Sequence, residues 1–361
     1  MTATVRVPVV VLTGFLGSGK TTLLSHLIRD PCMARTAVII NEFGEIGLDH
    51  LLVAKSDENV VLMDSGCVCC SIRTDLSDAL RDLGRRRDAG EVPLFDRVVI
   101  ETTGLADPAP ILHTLMTEPE LSDRYSLNGV VTTVDSVHGL GQLEVQEESV
   151  KQAAVADRLV LTKGDIATAN QMAVLRWRLQ ELNPAATMIE ATEASAALLL
   201  FDSSQYSLDI KSLDVQRWLG AEAYEAGGEC DDLHEHQGPG ALKFPRHTGH
   251  DPLRHQGIGS FCITLDMPMT WGQLVGFLDA LTRLRGPDLL RVKGIVNVAE
   301  SELPVIIQGV QHLFHPPVQL EAWPSTDRQS QIVFITRNIS RSAVIELLNV
   351  CLASSRLSQP S

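Results

Sequence analysis

Positive charge is in short supply. The chain carries 30 Lys and Arg against 45 Asp and Glu, a net of −15. That argues against a general DNA- or RNA-binding surface, which needs a positive field. No apolar run reaches the ~18 residues that a membrane span requires. The first 13 residues form a short apolar stretch with one Arg and lack the long h-region and cleavage site of a signal peptide. The expectation is a cytoplasmic protein with no nucleic-acid or membrane partner. A disulfide framework is not expected either. Seven Cys is an odd number, and clustered thiols in such a chain read as metal-binding or redox groups. A hydrophobic fraction of 44% with 21% charged residues excludes a mainly disordered chain. The length of 361 residues fits roughly two domains and a sizeable core.

Through the first ~220 residues, short apolar runs alternate with helical patterns. The runs are 8–13, 36–40, 60–63, 97–100, 129–134 and 158–161. Several are rich in Val and Ile and apolar throughout, as parallel strands buried on both faces are. The segments 21–29, 74–87, 108–116, 150–156 and 170–182 read as helices. This order predicts an α/β fold with a doubly wound parallel sheet. From about 227 to 257 glycines and prolines accumulate, the composition of a flexible linker. Beyond it, 260–265, 289–298, 304–308, 318–323 and 331–336 read as strands and 271–284 and 342–353 as helices, an order that suits a small α+β domain of split-βαβ type. The expected divisions are 1–222, a linker over 223–257, and 258–355.

Residues 14–21, GFLGSGKT, match G-x-x-x-x-G-K-[ST] between a strand and a helix, the setting that a phosphate-binding loop requires. Gly14, Gly17, Ser18 and Gly19 would present backbone N–H groups to phosphate oxygens at a helix N-terminus. Lys20 would reach the β- and γ-phosphates, and Thr21 would offer its hydroxyl to Mg2+. Further on, 158–161 lead into Thr162-Lys163-Gly164-Asp165. This resembles the [NT]-K-x-D guanine-recognition element of P-loop GTPases. The Asp165 carboxylate can accept from both the ring N–H and the exocyclic amine of guanine, neither of which adenine offers at those places. The Lys163 stem can lie over the base. Thr162 stands where Asn is common, so its positioning hydrogen bonds must differ. A third strand ends in Glu101-Thr102-Thr103-Gly104, with Glu101 toward Mg2+ and the Gly104 N–H toward the γ-phosphate.

Residues 66–70, GCVCC, put three thiols in four positions between a strand and a helix. Thiols at a helix N-terminus have lowered pKa values, and three soft ligands suit Zn2+ while leaving one position open. A redox dithiol and inert buried thiols are the alternatives, the former without a thioredoxin-type pattern around it. Cys32, Cys230, Cys262 and Cys351 are scattered and read as inert. In 41–45, NEFGE, Glu42 or Glu45 would add an oxygen ligand, or both are solvated loop acids. Five of the eleven histidines, His234, His236, His247, His250 and His255, fall in the linker. Clustered imidazoles there would bind borderline metals, or belong to a polar linker that happens to be His-rich.

Taken together, GFLGSGKTT (14–22), NEFGEIG (41–47), GCVCC (66–70), ETTGLADP (101–108), TKGD (162–165) and LRVKGI (290–295) make the chain resemble the CobW-type family of metal-related P-loop GTPases over nearly its whole length. The resemblance implies a GTPase with a ferredoxin-like C-terminal domain, using GTP and Mg2+ and carrying Zn2+ or Co2+. It places metal on Cys67, Cys69 and Cys70. It places phosphate and Mg2+ on 17–22, Thr22 included, and on Glu101. Ser65 departs from the Asn that many members carry before the Gly. The expected role is a GTP-dependent zinc metallochaperone serving a client apo-metalloprotein, with slow intrinsic turnover because no arginine finger is found in cis. A cobalt chaperone, a passive metal buffer with structural nucleotide and a P-loop small-molecule kinase are the alternatives. The sequence leaves the client unnamed, and a homo-oligomer is compatible with it.

Overall fold

The computed structural model describes residues 6–40, 60–64, 72–191, 219, 257–324, 326 and 328–354. Residues 41–47, 66–70 and the His-rich stretch lie outside the described residues.

The first unit is built on seven parallel strands: β1 (Val7–Gly14), β2 (Thr36–Ile40), β3 (Val60–Asp64), β4 (Arg97–Glu101), β5 (Tyr125–Asp135), β6 (Arg158–Thr162) and β7 (Thr187–Glu190). Their order is β3-β2-β4-β1-β5-β6-β7. The central strands are apolar on both faces because both faces are covered. Val9 and Val11 of β1 pack with α2 (Ile72–Asp88), α3 (Ala109–Thr117) and α4 (Pro119–Arg124). Val10 and Leu12 pack with Leu23, Leu24 and Leu27 of α1 (Lys20–Leu27). The sheet is doubly wound, as the sequence predicts. Because all strands run the same way, Leu12, Ile40, Asp64 and Glu101 fall in one lateral register, and the segments leaving β1 to β4 start from one edge.

Three further helices, α5 (Gly139–Val145), α6 (Glu147–Val155) and α7 (Ala169–Leu182), follow β5 and β6. α7 starts at a reciprocal capping box, Thr168 with Gln171, which satisfies two orphan donors at the N-terminus. The edge strand β7, with its TMIE sequence only partly buried, was not visible as an apolar run.

The second unit is an antiparallel sheet of β8 (Ile258–Leu265), β9 (Leu289–Val296), β10 (Val305–Val310), β11 (Leu313–Phe314), β12 (Val318–Gln319) and β13 (Ser330–Arg337), with α8 (Trp271–Arg285) and α9 (Arg341–Ser354). β13 lies between β8 and β9, so β8–α8–β9 is the split βαβ that the element order predicts. The outer strand is supplied by the β9–β10 hairpin rather than by a strand after α9. The segment 318–323 is shorter as a strand than expected. Leu320 packs into the core, and the Trp323 indole donates to the Glu302 carbonyl at 2.9 Å.

Both faces of this sheet are buried. Along β13, Ile332 and Phe334 face α8 and α9. The alternate residues Val333 and Ile335 join Val150, Ala153, Ala154 and Leu179 of the first unit. This is period-two alternation with two apolar faces. No helix of the described residues is long and apolar enough to cross a membrane. Cys262 is buried and Cys351 half-buried.

Candidate nucleotide site

The loop between β1 and α1 has the backbone that phosphate binding needs. Gly14, Gly17 and Gly19 have φ of 142°, 71° and 87°, conformations that L side chains rarely adopt. Gly19 is also the N-cap of α1, with no side-chain cap, so the first-turn N–H groups stay available. The Lys20 ammonium folds back over the loop and donates to the carbonyls of Gly14 at 2.9 Å and Phe15 at 3.3 Å. The Thr21 hydroxyl donates to Glu101 Oε1 at 2.8 Å. Glu101 itself is buried. A hydroxyl beside a buried carboxylate is a hard-oxygen pair of the kind Mg2+ takes. Thr22 is exposed at the helix start.

Gly104 sits against this loop. A Cβ there would meet the Leu16 backbone nitrogen at 2.6 Å, so only glycine allows the strand-end segment 101–107 to lie on the phosphate loop. That segment is tied down along its length. The Thr102 N–H donates to the Leu12 carbonyl at 2.9 Å, and its hydroxyl donates to the Thr13 hydroxyl at 2.9 Å. The Gln152 amide, from α6, donates to the carbonyls of Gly104 at 3.1 Å and Ala106 at 3.0 Å.

The Thr162 hydroxyl answers the question its substitution raises. It donates to the Ser18 carbonyl at 2.7 Å and leans toward the Val134 carbonyl at 3.2 Å. The segment 162–165 is thereby fastened to the glycine loop 14–19. Ser18 is buried, with its hydroxyl 2.6 Å from that of Thr133. Lys163 has φ of 57°, a costly conformation for a non-glycine residue. Its ammonium lies 2.7 Å from Asp135 Oδ2. Asp165 is exposed on the same loop.

Asp135 was not among the residues singled out from the sequence. It closes β5, and its Oδ1 accepts the N–H groups of Val137 at 2.8 Å and His138 at 3.1 Å. Burial opposes its charge, but the Lys163 ammonium and these hydrogen bonds outweigh it and hold the carboxyl down to about 2. The available signal was an acid closing an otherwise apolar and hydroxylic strand, VVTTVD. Gln152, on a helix distant in sequence, had no such signal.

Lys20, Thr21, Glu101, Gly104, Thr162 and Lys163 therefore gather at one end of one sheet. Cys67, Cys69, Cys70 and Glu42 lie outside the described residues. Among the described residues no three His, Cys, Asp or Glu form a metal-holding group.

A parallel doubly wound sheet, a glycine loop leading into a helix and a carboxylate at the neighbouring strand end define a P-loop nucleotide-binding protein with a second, antiparallel unit. The chain belongs to the CobW family. The profile for the CobW/HypB/UreG nucleotide-binding domain matches residues 8–190, and that for the cobalamin synthesis protein CobW C-terminal domain matches 258–352. The chain is 32% identical to the zinc chaperone YjiA of Escherichia coli, over 91% of this chain and 93% of that protein. It is 26% identical to the zinc-regulated GTPase metalloprotein activator 1 of Saccharomyces cerevisiae, over 95% and 83%. Among solved structures, the Zn(II)-bound YjiA GTPase from Escherichia coli superposes with a TM-score of 0.67 at 27% identity, covering 96% of this chain and 99% of that one.

Proposed function

We propose that the chain is a GTP-dependent zinc chaperone of the cytoplasm that hands Zn2+ to a client apo-metalloprotein. GTP binds on Gly14, Gly17, Ser18, Gly19, Lys20, Thr21, Thr22 and Gly104, with its base read by Thr162, Lys163 and Asp165. Thr21 and Glu101 would hold Mg2+, which supplies charge neutralisation of the β- and γ-phosphate oxygens when bound. Lys20 places a buried positive charge beside the same oxygens. A water oxygen attacks the γ-phosphorus, the bridging P–O bond to the β-phosphate breaks, and GDP and phosphate leave. The observation that carries this reading is the Thr21–Glu101 pair beside the Lys20-bearing glycine loop. The zinc cargo is assigned to Cys67, Cys69 and Cys70, with Glu42 as a further ligand. The zinc chaperones and the Zn(II)-bound GTPase that the chain resembles support this cargo over Co2+.

Ile40 and Asp64 precede the two cargo segments, and both lie in register with Glu101 and with each other. Nucleotide and cargo therefore start from one edge, the place where α/β sheets bind ligands. The γ-phosphate would order the cargo loops, and hydrolysis would release them. Linkage requires that Zn2+ then tighten GTP binding by the same factor. The test is a competition titration of Zn2+ and Co2+ against the full chain with Mg2+-GTP analogue or Mg2+-GDP. Tighter Zn2+ binding in the triphosphate state, with Cys67→Ala losing more there, is expected. Equal affinities in the two states overturn the coupling.

A further inference from the structure

We infer that Gln152 is a positioning residue for GTP hydrolysis, and that the second unit sets its position through α6. The inference rests on the reading of 101–107 as the γ-phosphate side of the site. Gln152 is fully buried. Both hydrogen bonds of its amide nitrogen go to that segment, at Gly104 and Ala106. Its Oε1 has no hydrogen-bond partner among the described residues. A buried acceptor left that way costs stability, so packing alone would favour an apolar side chain here. Reversing the amide would aim an oxygen at two carbonyl oxygens, which fixes the orientation. The side chain thus spends its donors on holding the backbone of one loop, and that loop touches the phosphate loop at Gly104 and Leu16.

The helix that carries Gln152 is gripped by the second unit at both ends. At its start, Glu147 is paired with Arg337 of β13. Just past its end, the Arg291 guanidinium of β9 donates to the Val155 carbonyl and meets Asp157 at 2.6 Å. Between them, Lys151 lies 3.4 Å from Asp107 and 3.0 Å from Glu147. The Gln311 amide, from the turn after β10, donates to Asp107 Oδ2 at 3.0 Å. Residues 104–107 are therefore held by α6 at two carbonyls and by the second unit at a carboxylate. A shift of either sheet against the other moves the segment that faces the γ-phosphate.

The test uses the full chain and four readouts: single-turnover GTP hydrolysis rate, KM for GTP, Kd for GDP and thermal midpoint. Gln152→Met keeps the volume and removes the donor. The hydrolysis rate should fall about tenfold, with KM and GDP affinity within about twofold and the midpoint held. An unchanged rate overturns the inference, and so does a rate that falls together with GDP affinity and thermal midpoint. Arg337→Ala, which frees Glu147 at the start of α6, should slow hydrolysis about two- to threefold in the wild-type background and have no further effect beside Gln152→Met. Independent, multiplying effects overturn the role of the second unit. Failure of the wild-type chain to hydrolyse GTP overturns the GTPase reading itself, an outcome distinct from any of the variant results.

Discussion

The two sheets bury charge in opposite ways. On the nucleotide side of the parallel sheet, the buried ionic groups Lys20, Glu101 and Asp135 stand at strand ends and a helix start, where a ligand can meet them. In the antiparallel sheet they stand mid-strand. Arg291 and Lys293 of β9 point with Ile295 toward the first unit, and both converge on Oδ1 of Asp157, at 2.6 and 3.0 Å. Asp157 Oδ2 accepts the Val130 N–H at 2.8 Å. Burial pushes the Lys293 ammonium down to about 8 even with Asp157 beside it, and Arg291 adds to that push. Charge of the first kind serves a ligand, whereas charge of the second kind fixes how one sheet sits on the other. The LRVKGI segment is thus the pin between the two units, with Gly294 on its opposite face leaving room for Ile307 and Ile332.

The sharpest way to break this contrast is Asp157→Ala. It removes the carboxylate on which two buried cations converge, and the expected loss is about 3–5 kcal/mol by denaturant unfolding. A small loss would mean that the pin does not hold the fold. Gly104→Ala tests the other kind of site. The added methyl meets the Leu16 backbone, so triphosphate affinity should fall by about 2 kcal/mol while denaturant stability changes less. A fluorescent GTP analogue titrated beside its GDP counterpart measures this.

Acid sensitivity refines the comparison. Asp135 has a folded pKa of about 2, below its unfolded value. Its contribution, on the order of 2 kcal/mol, is therefore full above about pH 4 and disappears as pH falls toward 2. Asp135→Asn should flatten that limb of the stability profile, read from unfolding midpoints between pH 5 and 2. The smallest effect belongs to Thr162→Val, which removes the hydroxyl that ties the loops. About 1 kcal/mol of guanine nucleotide affinity should go with it by calorimetry, with the fold unchanged.

What was legible in the sequence follows from range. The strands at 36–40 and 158–161 read clearly because burial on both faces makes 37–40 and 159–161 apolar without interruption. The phosphate loop read clearly because its glycines, Lys20 and Thr21 are neighbours in the chain. β7 escaped because an edge strand needs no apolar run. Gln152, Asp135 and Asp157 escaped because Gly104, Lys163 and Arg291, the partners that give them their roles, lie 48, 28 and 134 residues away. Only the fold brings those together, and neither periodicity nor a short motif encodes the pairing. LRVKGI was visible as a pattern, but its two cations acquire their meaning from an aspartate on the other unit.

The Thr162–Ser18 hydrogen bond carries one more implication. On the proposed function, the loop that reads the purine and the loop that holds the phosphates are joined by this hydrogen bond, so neither can relax alone. A nucleoside that fills the base pocket without phosphates would leave the tether pulling on an empty cradle. Selectivity for guanine should therefore sharpen as the phosphate chain lengthens from none to three.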